Sequence, residues 1–225
     1  MEYRNLGKAG VKISPVCLGT MTFGFQSEQD EASRIMDAAY DGGVNFIDTS
    51  DVYPIGAPQV GATEEIVGDW LAGKPRDSVV LATKCRGAMG PGPNDAGLSR
   101  AHIMSAVEAS LRRLQTDHID LYQMHAPDPS TPIDETLSAL DDLVRQGKVR
   151  YIGTSNYRAY ELAKALGVSE RLNLARFDCN QPRYNILYRE IENEILPLCA
   201  AEGIGTIAYN PVSYTHLTLP TSDLV

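Results

Sequence analysis

Val16-Cys17-Leu18-Gly19-Thr20-Met21-Thr22-Phe23-Gly24 is an apolar run that passes into a polar turn without the spacing G-x-G-x-x-G. A doubly wound dinucleotide-binding sheet usually carries that glycine pattern directly after its first strand, where the backbone must approach a pyrophosphate. The omission matters because the sequence beyond it alternates strictly. Short strand-like runs cover residues 16–20, 45–50, 79–84, 119–125, 151–156, 177–181 and 205–209. Between them lie amphipathic stretches at 29–41, 63–71, 99–114, 132–146, 158–166 and 189–202. In 99–114, for example, Ile103, Val107, Leu111 and Leu114 recur at helical spacing.

Such alternation builds a parallel sheet with helical crossovers. It suits either an open doubly wound sheet or an eight-stranded barrel, and the missing glycine pattern favours the barrel. Upstream, residues 1–7 and 11–14 flank a Gly-rich turn and predict a small hairpin. The expected fold is therefore an α/β chain: a (β/α)8 TIM barrel with an N-terminal β-hairpin, incomplete, with about seven of its eight strands present.

Composition narrows the function classes. The chain has 225 residues and a formal net charge of −9. No basic cluster is available to meet phosphates, so no nucleic-acid partner is expected. Cys17, Cys85, Cys179 and Cys199 lack the close spacing of a zinc knuckle or a redox pair. They read as scattered thiols in a reducing, cytoplasmic setting. The charged start MEYRNLGKAG has no signal core, and no apolar run approaches the roughly 20 residues that cross a bilayer. His102 and His118 are isolated from Cys and carboxylates at ligand spacing, so no metal is expected. Cys85 follows Lys84, which could activate its thiol, but an inert buried cysteine is the preferred reading.

A barrel forms its active site at the C-terminal ends of its strands. Polar groups gather there: Asp48 to Tyr53 at the end of the second strand, Lys84 at the end of the third, His125 of the fourth, Ser155 and Asn156 of the fifth, Gln181 of the sixth, and Tyr209 and Asn210 near the end of the seventh. Asp48, Tyr53, Lys84 and His125 form a titratable set. A phenol is a poor proton donor near neutral pH. An adjacent ammonium lowers its pKa by favouring the phenolate, and a carboxylate keeps that ammonium charged. A histidine can then hold a carbonyl oxygen by a hydrogen bond. The set can protonate oxygen while another group attacks carbon. Each residue taken alone has a plainer reading as a loop or strand-end side chain; the conjunction carries the argument.

Asn45-Phe46-Ile47-Asp48-Thr49-Ser50-Asp51-Val52-Tyr53, Ala82-Thr83-Lys84, Met124-His125, Gly153-Thr154-Ser155-Asn156-Tyr157 and Asn180-Gln181-Pro182-Arg183-Tyr184-Asn185 resemble, in order, the signature segments of the aldo-keto reductase superfamily. With Asn5-Leu6-Gly7 and Gly10-Val11-Lys12-Ile13-Ser14, the pattern is most similar to the bacterial branch related to potassium-channel β subunits. The resemblance implies reduction of aldehydes or ketones by hydride transfer from NADPH. It implies Tyr53 as general acid, Lys84 and Asp48 tuning it, and His125 orienting the carbonyl. It implies a cofactor site of Thr20, Met21, Asp48, Ser155, Asn156, Gln181, Tyr209, Asn210 and Pro211. Preference for NADP over NAD rests on family habit alone. The channel subunits carry Asn where this chain has His125, which favours an enzyme acting on a small carbonyl substrate. The alternatives are a nicotinamide-nucleotide-binding regulatory subunit and a non-functional fragment. The natural substrate and the oligomeric state are not legible.

The resemblance stops near residue 212. Residues 1–212 read as a truncated barrel, and 213–225, from Ser213 to Val225, read as a tail outside the family, of the kind left by read-through.

Overall fold

A computed structural model describes residues 1–56 and 59–210. Strands β1 (Arg4–Asn5) and β2 (Lys12–Ile13) form the expected antiparallel hairpin. Then follow β3 (Leu18–Gly19), α1 (Gln29–Asp41), β4 (Phe46–Asp48), α2 (Ala62–Leu71), β5 (Val80–Cys85), α3 (Arg100–Arg113), β6 (Ile119–Met124), α4 (Ile133–Arg145), β7 (Val149–Ser155), α5 (Ala159–Leu172), β8 (Cys179–Gln181), α6 (Ile195–Glu202) and β9 (Gly205–Thr206). The expected tail at 213–225 lies outside the described residues.

Strands β3 to β9 form one seven-stranded sheet in sequential order, and every neighbouring pair is parallel. A doubly wound sheet would reverse its order at a switch point. Here each helix touches the next in the chain, so the helices share one face. The sheet also curls. Strands β4 and β8 stand four places apart, roughly 19 Å in a flat sheet. Yet Gln181 Nε2 on β8 donates to Asp48 Oδ1 on β4 at 3.0 Å. A side-chain contact across that span requires a barrel wall, as the sequence predicts. Among the described residues, β3 and β9 are its edges.

Strand parity divides the interior into two cores. Leu81, Tyr122, Ile152 and Phe177 face outward and pack with Ile103, Val107, Leu137 and Leu140 of the helices. Phe46, Val80, Ala82, Leu121 and Cys179 face inward. The hairpin places Leu6 and Ala9 against this inner set and closes the N-terminal end of the barrel. Gly7 makes this docking possible. It has φ +57°, and a Cβ there would lie 2.4 Å from the amide nitrogen of Gly205.

Most elements match the sequence, with local corrections. The strands expected at 16–20 and 205–209 shorten to β3 and β9. Helix α5 does not stop at Leu166. It continues through Gly167 to Leu172 and ends at Asn173, which adopts the left-handed conformation. Burial of Val168 and Ser169 outweighs the cost of a mid-helix glycine, about 1 kcal/mol. The segment expected as one helix at 189–202 divides into a 3-10 turn (Glu190–Glu192) and α6. Pro197 lies in the first turn of α6, where a missing N–H costs no helical bond. Ser99 caps α3 as expected, accepting from His102 N at 3.3 Å. Gly147 and Gly203 fall just past α4 and at the end of α6, both with positive φ.

Candidate active site

Above the hydrophobic floor, inward-facing positions turn polar. Asp48, Lys84, Gln123, Ser155 and Gln181 occupy the C-terminal ends of five successive strands. Lys84 is fully buried and its Nζ donates to Asp48 Oδ2 at 2.5 Å and to the Thr49 carbonyl at 2.8 Å. Asp48 Oδ1 accepts from Gln123 Nε2 at 2.9 Å and from Gln181 Nε2 at 3.0 Å. Three donors thus surround the carboxylate and hold it under the ammonium. Burial disfavours the Lys84 charge, but Asp48 and Tyr53 outweigh it and raise its pKa above the ordinary value.

The Lys84 ammonium stands 5.1 Å from the centre of the Tyr53 ring. His125 lies on the other side of that ring, edge-on, with centroids 5.7 Å apart. Tyr53, Lys84, Asp48 and His125 therefore meet in one place, as the sequence predicts. One expectation needs correction. Burial raises the Tyr53 pKa, and the pull of Lys84 opposes that rise without overcoming it. The phenol keeps its proton. Burial and the Lys84 charge lower the His125 pKa to about 4, so the imidazole is neutral.

Asp48, Tyr53 and His125 border a cavity of about 800 Å³, with Lys84 buried behind them. Thr20, Met21, Asp48, Ser155, Asn156, Gln181, Tyr209 and Asn210 all line it; Pro211 lies outside the described residues. Thr20 is committed to structure, since its hydroxyl and its amide both donate to the Asp48 carbonyl. Asn156 sits at φ +59°, which Asn tolerates better than most residues. Its Nδ2 donates to the His125 carbonyl at 2.9 Å, and its Oδ1 accepts from the Tyr209 hydroxyl at 2.9 Å. The protons of Ser155, Asn156 and Gln181 are engaged within the protein, but Gln181 Oε1, Ser155 Oγ and Asn156 Oδ1 keep lone pairs toward the cavity, with the Tyr209 ring beside them. This acceptor set fits the amide N–H groups of a nicotinamide.

Sequence reasoning missed Ser50, Gln123, Cys17 and Ile55. Ser50 Oγ lies 3.1 Å from His125 Nδ1, and Cys17 and Ile55 line the cavity. Gln123 was detectable: it lies two residues before His125, on the inward parity of β6. Cys85 points outward into the helical layer and is fully buried, and that burial raises its thiol pKa far above the ordinary value. The inert reading holds. Among the described residues, no three His, Cys, Asp or Glu side chains gather at metal-binding distance. His102 and His118 instead contact the Asn94 carbonyl and Asp117. No helix among the described residues is long and apolar enough to cross a membrane.

The model of the aldo/keto reductase family matches residues 15–220. The chain belongs to this family. The uncharacterized oxidoreductase YrpG of Bacillus subtilis (strain 168) is 44% identical over 219 residues, covering 95% of this chain and 67% of that protein. A probable voltage-gated potassium channel subunit beta of Arabidopsis thaliana is 41% identical, covering 97% of this chain and 66% of that protein. A putative aryl-alcohol dehydrogenase of Schizosaccharomyces pombe is 36% identical, covering 96% and 69%. The chain thus spans about two-thirds of the length of these relatives. Family and relatives support an oxidoreductase role for this aldo/keto reductase chain.

Proposed function

We propose that the protein reduces an aldehyde or ketone to an alcohol, with NADPH as the electron donor and Tyr53 as the general acid. The observation that carries this reading is the buried Lys84–Asp48 pair beneath a protonated Tyr53, with a neutral His125 beside it. A reduced nicotinamide, when bound, supplies the hydride. Ser155, Asn156 and Gln181 would hold its carboxamide, with Tyr209 beside the ring. His125 holds the carbonyl oxygen by donating a hydrogen bond from Nε2. Tyr53 gives its proton to that oxygen as negative charge develops there. The Lys84 ammonium stabilises the phenolate left behind, and Asp48 keeps the ammonium in place.

The test is Tyr53→Phe. We expect carbonyl reduction to fall by at least about 100-fold, the scale of a lost general acid, while NADPH binding persists. Turnover retained in that variant would remove Tyr53 from the acid role.

A second reading has one specific support, the 41% identity to a probable potassium-channel β subunit. In that case the barrel binds the nucleotide and a partner protein senses it. NADPH raising the Tm, with no oxidation across a panel of small aldehydes, would favour it.

A further inference from the structure

Behind His125, on the side away from the cavity, a chain of two polar side chains leads into the protein. Ser50 Oγ lies 3.1 Å from His125 Nδ1 and 3.2 Å from Asp51 Oδ1. Ser50 and Asp51 are both fully buried. Asp51 Oδ2 has no hydrogen-bond partner among the described residues. The Ser50 hydroxyl carries one proton, so it donates either to His125 or to Asp51, never to both. Its choice fixes the His125 tautomer.

We propose that Asp51 and Ser50 form a proton wire that sets which His125 nitrogen faces the cavity as a donor. With Asp51 protonated, the carboxyl donates to Ser50 Oγ, Ser50 donates to Nδ1, and Nε2 carries its hydrogen into the cavity. With Asp51 ionised, the order reverses. Asp51 accepts from Ser50, Ser50 accepts from Nδ1–H, and Nε2 presents a lone pair. Going from the first state to the second, the Nε2 proton leaves to the cavity, the Ser50 proton passes to Nδ1, and the Asp51 proton passes to Ser50. One proton is released in total, and it emerges where a carbonyl oxygen would sit. Only the first state can hold that oxygen.

The surroundings favour the protonated carboxyl near neutral pH. Glu64 of α2, itself paired with Arg113 of α3, faces Asp51, as do the thiol of Cys85 and the phenol of Tyr122. His125 faces Lys84, Asp48, Arg86 and Tyr53. Burial and the Glu64 charge raise the Asp51 pKa to about 8, so the wire turns over in mildly alkaline solution. An ionised carboxylate with an unpaired buried oxygen would be costly at lower pH.

This inference rests on the role given to His125 above, and its test does not depend on turnover. Nitrogen-15 NMR of the histidine-labelled chain reads the tautomer directly, with His125 assigned from a His125→Gln variant. From about pH 6 to about pH 9.5 we expect His125 to pass from Nε2–H to Nδ1–H, with its midpoint near the Asp51 transition. Ser50→Ala and Asp51→Asn should each hold one tautomer throughout that range. A single unchanging tautomer in the unaltered chain overturns the wire, as does a transition that persists in either variant. If the wire is present but Tyr53→Phe retains turnover, the proposed reaction fails and this inference stands.

Discussion

Lys84 Nζ lies 2.5 Å from Asp48 Oδ2, with the lysine wholly removed from water and the aspartate nearly so. The pair sits at the C-terminal end of the barrel, where β4 and β5 stop. Two charges buried together offset each other's desolvation; one left alone does not.

Lys84→Met should therefore destabilise the chain by about 3–5 kcal/mol, the cost of an uncompensated buried carboxylate. The double variant Lys84→Met/Asp48→Asn should recover a large part of that loss. Urea denaturation of the single and double variants measures both. Equal losses in the two would mean that the Asp48 carboxylate left without its partner carries no burial penalty.

His125 predicts a pH dependence of stability. Its folded-state pKa of about 4 lies below the ordinary value of 6.5. In that window the unfolded chain binds the extra proton, so stability rises with pH. The contribution is complete above about pH 6.5 and is lost as pH falls toward about 4. The stability gap between the unaltered chain and His125→Gln should shrink across this window by on the order of 1–3 kcal/mol. A gap that stays constant would show that His125 does not titrate as its burial requires.

Gly153 faces inward on β7, and a Cβ there would lie 3.2 Å from Gln123 Cγ. Gly153→Ala should push the Gln123 amide off Asp48 and cost about 1–3 kcal/mol, the usual price of overpacking. Thermal unfolding checks the stability, and a crystal structure would show whether the 2.9 Å bond to Asp48 has lengthened.

Glu64 is fully buried and is held by Arg113 and by the Thr83 hydroxyl. Arg113→Met should cost about 3–5 kcal/mol, and the further change Glu64→Gln should restore part of it. Denaturant midpoints of the two variants decide the matter. If Arg113→Met leaves stability unchanged, the buried carboxylate finds another partner.

Much of this was legible in the sequence because apolar runs mark buried parallel strands. Strands β5, β6 and β7 fall within a residue or two of the expected runs, and α1 matches residue for residue. The four titratable residues were found because each ends, or closely follows, a strand of a fold whose strand ends converge. What was lost depended on packing that no local pattern displays. The helical stretch read to Leu166 stops one residue before Gly167; the helix runs on because nothing crowds that glycine and Val168 and Ser169 beyond it are buried. Ser50 read only as the last residue of a strand because its link to His125 spans 75 positions in the chain. The net rise of the Tyr53 pKa was hidden for a similar reason, since the depth of burial is a property of the folded surroundings.

The hairpin plugs the barrel beneath Phe46 with Leu6 and Ala9. Among the described residues the wall also has a seam, since β3 and β9 have no neighbour beyond them. The cavity straddles that seam, with Gly19 and Thr20 on one flank and Ile207 and Ala208 on the other. A guest resting on the plugged floor would therefore lie alongside unpaired backbone, which gives it main-chain donors and acceptors that a closed cylinder would have spent on itself.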